Sequence, residues 1–223
     1  MGLLSEKDQF AIESMRKQWK YAPLFIKPTL QIDREGSKIY LWVSNRKPPA
    51  KMLGAPLLIR KQAMLVPVSP DLKMVFGSAK IARDYTGGRA QMEAYKFAPL
   101  KQGDAIVLGG GKYRFRNTVL AVIFDDYKRT SPEMIIRAVR RGAELASQQG
   151  CSGLILPDMT QNIISHPNWI NTELRRDTAR TAAIVTMQAI QSCRGLMNQF
   201  HIWCWDRTVA DIYQSELQRF TGK

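Results

Sequence analysis

The sequence predicts an α/β protein built on a largely parallel or mixed sheet. Two observations carry this. Through the second half of the chain, apolar β-prone runs alternate with stretches of helical periodicity, the pattern of strands joined by crossover helices. The helices there also start and stop on recognisable chemistry. Ser131-Pro132-Glu133 offers a capping hydroxyl, a proline for the first helical position and a carboxylate at the positive end of the helix dipole, and Gly150 supplies a stop.

In chain order, Ser5 can cap a helix running to about Lys20, with Phe10, Ile12, Met15 and Trp19 on its apolar side. Residues 21–37 hold Pro23, Pro28 and Gly36 and read as a loop or extended arm. Strands follow at 38–43 (KIYLWV) and 63–68 (AMLVPV), with a basic, proline-broken segment at 45–51 between them. A helix is expected at 74–84 around Gly77 and a short one at 89–95 after Gly87-Gly88. Strands are expected at 105–108 and 118–124, on either side of Gly109-Gly110-Gly111. The helix opening at Ser131 buries Ile135, Ala138, Val139, Gly142, Leu145 and Ala146. A strand at 153–156, a long helix at 171–193, a strand at 200–205 and a helix at 208–220 complete the chain. In such folds ligands gather beyond the carboxyl ends of the strands, here 66–69, 124–126, 156–158 and 205–206.

The 223 residues suit one large domain, or one domain with an appendage, and an apolar share of 45% suffices for a core. No apolar run reaches membrane-spanning length, so no membrane association is expected. The MGLLSEKDQF start has too short an apolar stretch for a signal peptide, and Glu6 stands where a myristoylation signal needs Ser or Thr. Cys151, Cys193 and Cys204, an odd number at wide spacing, read as reduced, buried thiols of a cytoplasmic protein. His166 and His201 stand far apart and read as structural, so no zinc site and no cofactor is expected.

Net charge is +14, and residues 1–62 hold 12 Lys+Arg against 5 Asp+Glu. Such a field attracts polyanions, nucleic acid among them, although a basic balance also serves plain solubility. Familiar site motifs fail. In the stretch 103–112 (GDAIVLGGGK), Ile106 stands where a phosphate loop needs its first glycine and Tyr113 where it needs Ser or Thr. Arg114 falls where a dinucleotide fingerprint needs its third glycine, and no nucleophile elbow or histidine-based triad can be assembled.

Several segments nevertheless fall in a familiar order: 63–70 (AMLVPVSP), 74–84 (MVFGSAKIARD), Gly103-Asp104-Ala105, 118–124 (TVLAVIF), 150–157 (GCSGLILP) and 201–220. This order resembles the macro domain, the ADP-ribose-binding α/β/α fold. There a buried strand ends in an Asn-Ala-Ala-Asn turn, a Gly-rich loop and helix follow, then a Gly-Asp-Ala strand opening, and a later strand ends in proline before a second ligand loop. The resemblance covers about two-thirds of the chain. It implies a three-layer α/β/α domain with a mixed sheet over residues 38–223, preceded by a basic helical or extended appendage at 1–37.

The departures fall on the ligand contacts. Pro67 and Pro70 stand where the family turn has its asparagines, Gly77 alone remains of the first glycine loop, and the second loop, 158–164 (DMTQNII), has no glycine. Those glycines let backbone N–H groups approach a diphosphate closely. What the resemblance implies is therefore a divergent binding module for an ADP-ribose-like nucleotide or nucleoside derivative, without efficient hydrolase activity. Its ligand residues would be Ser69, Asp71, Phe76, Gly77, Ser78, Phe124, Asp158, Thr160, Gln161 and Asn162. Two other readings stand beside it. One is a nucleic-acid- or RNA-binding protein using the basic front segment, with Trp19, Tyr21, Tyr40 and Trp42 either as stacking surfaces or as core. The other is an enzyme in which Asp125, Asp126 and Asp158 hold a divalent metal or act as general base, as opposed to capping their own loops.

Overall fold

A computed structural model describes residues 28–34, 36–43, 62–75, 77–86, 88–109, 117–127, 129–159, 172–204 and 207–221. The helix expected at 5–20 and the basic segment 45–51 lie outside them, as do Trp19, Tyr21, Phe76, Thr160, Gln161 and Asn162.

Seven strands form one sheet: β1 (Leu30–Arg34), β2 (Ser37–Val43), β3 (Gln62–Val68), β4 (Ala105–Gly109), β5 (Asn117–Val122), β6 (Gly153–Pro157) and β7 (Gln199–Cys204), in the order β1-β2-β7-β6-β3-β5-β4. The five inner strands are parallel, and each rim strand, β1 and β4, is antiparallel to its neighbour. The five strands expected to share one mixed sheet do so. Leu30–Arg34, read as loop or arm, adds a rim strand paired from Leu30↔Leu41 to Arg34↔Ser37, so the sheet reaches back into the stretch assigned to the appendage.

Helices cover both faces and make this a three-layer α/β/α fold. Alternate residues of each strand point to opposite faces. Leu65, Val119, Ala121, Leu154 and Phe200 meet α3 (Pro132–Gln148), α4 (Thr172–Ser192) and α5 (Arg207–Thr221). Met64, Val66, Leu120, Val122, Ile155 and Trp203 meet α1 (Gly77–Tyr85) and α2 (Arg89–Ala94). The Ser131 hydroxyl caps α3 by accepting the Met134 N–H at 3.4 Å. At Gly142, α3 rides so close to the sheet that a Cβ would stand 2.7 Å from Val119 Cγ1. Cys151, Cys193 and Cys204 are buried and none is in a disulfide. Burial pushes the Cys193 thiol up to about 11.

Tyr40 and Trp42 belong to the interior. Trp42 is 4% exposed, and its indole N–H donates to His201 Nδ1 at 3.1 Å. Tyr40, half-buried, stacks on the His201 ring with centroids 4.8 Å apart. Trp42 is therefore not an open stacking surface, and one face of the Tyr40 ring is taken by His201.

Candidate functional site

The inner strand β3 is buried along its whole length. Its ladder to β5 runs through to Val68↔Val122, but its ladder to β6 stops at Met64↔Ile155. Pro67 lies in the carboxyl half of β3 and Pro157 at the end of β6, and neither has an N–H to donate. Past Met64, β3 stays with β5 while β6 stays with β7, where the Asp158 N–H donates to the Trp203 carbonyl at 2.8 Å. The chain then leaves β3 for α1 on one face of the sheet and β6 for α4 on the other. Two neighbouring parallel strands whose connections leave on opposite faces define a crevice at their carboxyl ends, the usual ligand position in open α/β sheets. The two prolines bring no N–H with which to carry the β3–β6 ladder further.

Ser69 and Asp158 stand at its two sides, 6% and 1% exposed. From Ser69 the chain turns back on itself, the Ser69 carbonyl accepting the Leu72 N–H at 2.9 Å. Leu72 adopts φ +54, a left-handed conformation that costs a non-glycine residue energy. It is held there from α2. The buried Gln91 amide donates to the Leu72 carbonyl at 3.0 Å and accepts the Met74 N–H at 2.6 Å. The Lys73 N–H donates to Asp71 Oδ1 at 3.2 Å. Pro70 has no N–H, so the loop turns its donors inward at Leu72, Lys73 and Met74. This clamp also delays α1, which starts at Gly77 with φ +51 and not at residue 74.

Among the remaining candidates, Ser78 lies in the first turn of α1, buried, with its hydroxyl unpartnered among the described residues. Asp71 pairs with Lys73 Nζ at 3.2 Å. Phe124 is 6% exposed and packs into the core on the α3–α5 side. Behind Asp158, a relay of hydroxyls fixes the start of the second loop. The Met159 N–H donates to Tyr213 Oη at 3.2 Å, that hydroxyl lies 3.3 Å from Thr186 Oγ1, and Thr186 donates to the Ala182 carbonyl at 2.7 Å. Burial, and then the nearby Asp158 charge, push the Tyr213 hydroxyl well above its ordinary value. Neither this relay nor Gln91 is visible as a sequence motif.

The three aspartates do not form one cluster. Asp125 Oδ1 accepts the Arg129 and Tyr127 N–H groups at 2.8 and 2.9 Å, and Oδ2 takes the Arg129 guanidinium at 2.8 Å. These bonds, the Arg129 N–H first, hold its carboxyl below the usual carboxylate range. Asp125 lies past the end of β5 and Asp158 past the end of β6, and β3 stands between those two strands. Among the described residues no three His, Cys, Asp or Glu are grouped to hold a metal ion, and no helix is long and apolar enough to cross a membrane. An open groove of about 540 Å³ lies between α4 and α5. It is lined by Arg180, Asp211, Ile212 and Glu216 among others and carries the Arg180–Glu216 ion pair at 3.0 Å.

No family model matches the sequence, and no curated protein matches it. Solved structures do resemble the fold. An Oceanobacillus iheyensis macrodomain with ADP superposes with TM-score 0.65 at 14% identity, over 86% of this chain and 96% of that one. A Trypanosoma brucei macrodomain in complex with ADP-ribose gives 0.61 at 13%, over 97% and 92%. The macro domain of ganglioside-induced differentiation-associated protein 2 gives 0.60 at 16%, over 86% and 88%. The chain has a remote macro-type fold.

Proposed function

We propose that this macro-type chain is a binding module for an ADP-ribose-like nucleotide or nucleoside derivative, held in the crevice between β3 and β6, and that it does not hydrolyse its ligand efficiently. What supports the reading above all is the opening of the β3–β6 ladder at the carboxyl edge of a fold shared with macrodomains solved with ADP and ADP-ribose. Ser69 and Asp158 flank the opening. The Ser78 hydroxyl, buried without a protein partner among the described residues, is left to meet a ligand oxygen, since leaving it unmet is costly. Phe76, Thr160, Gln161 and Asn162 complete the proposed contacts from the two loops, with Gly77 at the turn into α1.

The diphosphate is the part we infer to be held poorly. The N–H groups of Leu72 and Lys73 are used within the loop and that of Met74 by Gln91 of α2. One or two lost hydrogen bonds to a charged group, at about 1.5–3 kcal/mol each, move a micromolar ligand towards millimolar. Catalysis by paired aspartates is disfavoured by the engagement of Asp125 in its own turn. Buried thiols outside any disulfide support a reducing, cytoplasmic setting.

Calorimetric titration with ADP-ribose, ADP and adenosine tests the reading. Binding of at least one, with ADP-ribose no tighter than adenosine and weakened by Ser78→Ala, is expected. Failure of all three to bind overturns the module. Brisk turnover of an ADP-ribosylated protein, lost in Asp158→Asn, would establish a hydrolase instead.

A further inference from the structure

Exposed large apolar side chains are few among the described residues, yet three fall together at the end of α2. Met92, Tyr95 and Phe97 are 69%, 49% and 48% exposed. Ala90, Gln91 and Ala94 are the buried side of this helix, so positions 89, 92, 93 and 96, three or four apart, form its outward stripe. Arg89 and Lys96 are exposed on it and Lys101 is exposed past the end of the helix, and none of the three is ion-paired among the described residues. Glu93 is the one carboxylate on the stripe.

The surface is held firmly. Gln91 fastens α2 to the 72–74 turn, the Leu100 N–H donates to the Pro70 carbonyl at 3.1 Å, and the Gln102 amide donates to the Ile123 carbonyl at 3.1 Å. Rings left half open to water on a fixed backbone, with cations between them, match a strand of stacked bases on a charged backbone. A second copy of the chain fits less well, because each carries +14. A duplex hides the base faces that rings would meet.

We propose that the strip from Arg89 to Lys101 binds single-stranded nucleic acid, with Tyr95 and Phe97 stacking on bases while Arg89, Lys96 and Lys101 meet phosphates. The 125–129 turn adjoins the Lys101 end of the strip, the Gln102 amide donating to the Arg129 carbonyl at 3.2 Å, and there Asp125 and Asp126 place carboxylates beside the 79%-exposed Tyr127. The site lies on the outer side of α2, whose buried side holds the 72–74 turn of the loop that leaves the crevice, and the proposal stands whether or not the crevice is occupied.

Fluorescence anisotropy of the full chain with labelled RNA and DNA single strands of about 20 nucleotides, across a salt series, tests this. Binding to one or both at low salt is expected. Tyr95→Ala with Phe97→Ala should weaken it by about 10- to 100-fold, and Tyr95→Phe with Phe97→Tyr should retain it. Lys96→Gln with Lys101→Gln should lower the slope of log K against log salt by about 1 to 2. Ile184→Ala, at an exposed apolar side chain of α4 on the other face of the sheet, should change nothing. No binding at low salt, full binding by the double ring variant, or an equal loss in Ile184→Ala overturns the proposal. So does a ring variant that keeps nucleic-acid binding but loses a protein contact in cross-linking.

Discussion

The indole N–H of Trp42 donates to Nδ1 of His201 across 3.1 Å, and this one bond decides the tautomer of a buried ring. Indole only donates, so Nδ1 must be bare and the neutral imidazole carries its proton on Nε2. That N–H needs an acceptor. The Gln62 amide stands 3.0 Å away, and its oxygen, otherwise without a partner, satisfies the bond when the amide is turned end for end. A second proton on the ring would collide with the indole N–H, and burial lowers the His201 pKa to about 4.

Stability should therefore depend on pH well above the carboxylate range. Between about 6.5, where the ring titrates in the unfolded chain, and about 4, the unfolded state binds a proton that the folded state refuses. The contribution is complete above the upper value and is lost as pH falls through the window. Urea melts should show a loss of about 2 kcal/mol between neutral pH and about pH 5, and His201→Gln should flatten it. A level wild-type profile over that range would refute the assignment.

Gln91→Ala should destabilise the fold by about 2–4 kcal/mol, because it strands the buried Met74 N–H and Leu72 carbonyl at once. Denaturant melts give the cost, and the Met74 amide should become the first of its neighbours to exchange with deuterium. A variant that keeps Met74 protected would mean that the strained turn holds itself.

Gly142→Ala tests the contact between α3 and the sheet. Alanine favours helix by up to about 1 kcal/mol, but its methyl would meet Val119 Cγ1 at 2.7 Å and Leu65 Cδ1 at 3.3 Å. Overpacking should win, with a net loss of about 1–2 kcal/mol in thermal or chemical unfolding. A stabilised variant would show that α3 can lift off the sheet freely.

Tyr213→Phe removes the middle of the hydroxyl relay and leaves the buried Met159 N–H without its acceptor. A cost of about 1–3 kcal/mol is expected, together with faster exchange at Met159. Thr186→Val should cost less, since Met159 keeps its bond to the tyrosine. Equal costs would mean that the relay acts as one unit.

Much of the fold was legible because its signals are local. The capping chemistry at Ser131 and the apolar, β-prone runs of β3, β5, β6 and β7 need only a few neighbouring residues. Strand β1 was not legible, because LQIDR between Pro28 and Gly36 becomes a strand only through its pairing with β2. At the site, Pro67 and Pro157 were each conspicuous, but their meaning depends on β3 and β6 being neighbours, which crossover connections conceal. The Gln91 clamp spans 17 and 19 residues and the Trp42–His201 bond 159, distances over which no periodicity carries information.

The burial of every cysteine has a practical side. Alkylating dyes react with thiolates that they can reach. Cys151, Cys193 and Cys204 are 4%, 0% and 0% exposed, and Cys193 is held protonated at neutral pH. The native chain is thus a silent background for maleimide chemistry. A single Met92→Cys substitution gives one addressable handle on the α2 surface. A fluorophore there reports on whatever approaches that face, with no native cysteine to remove first.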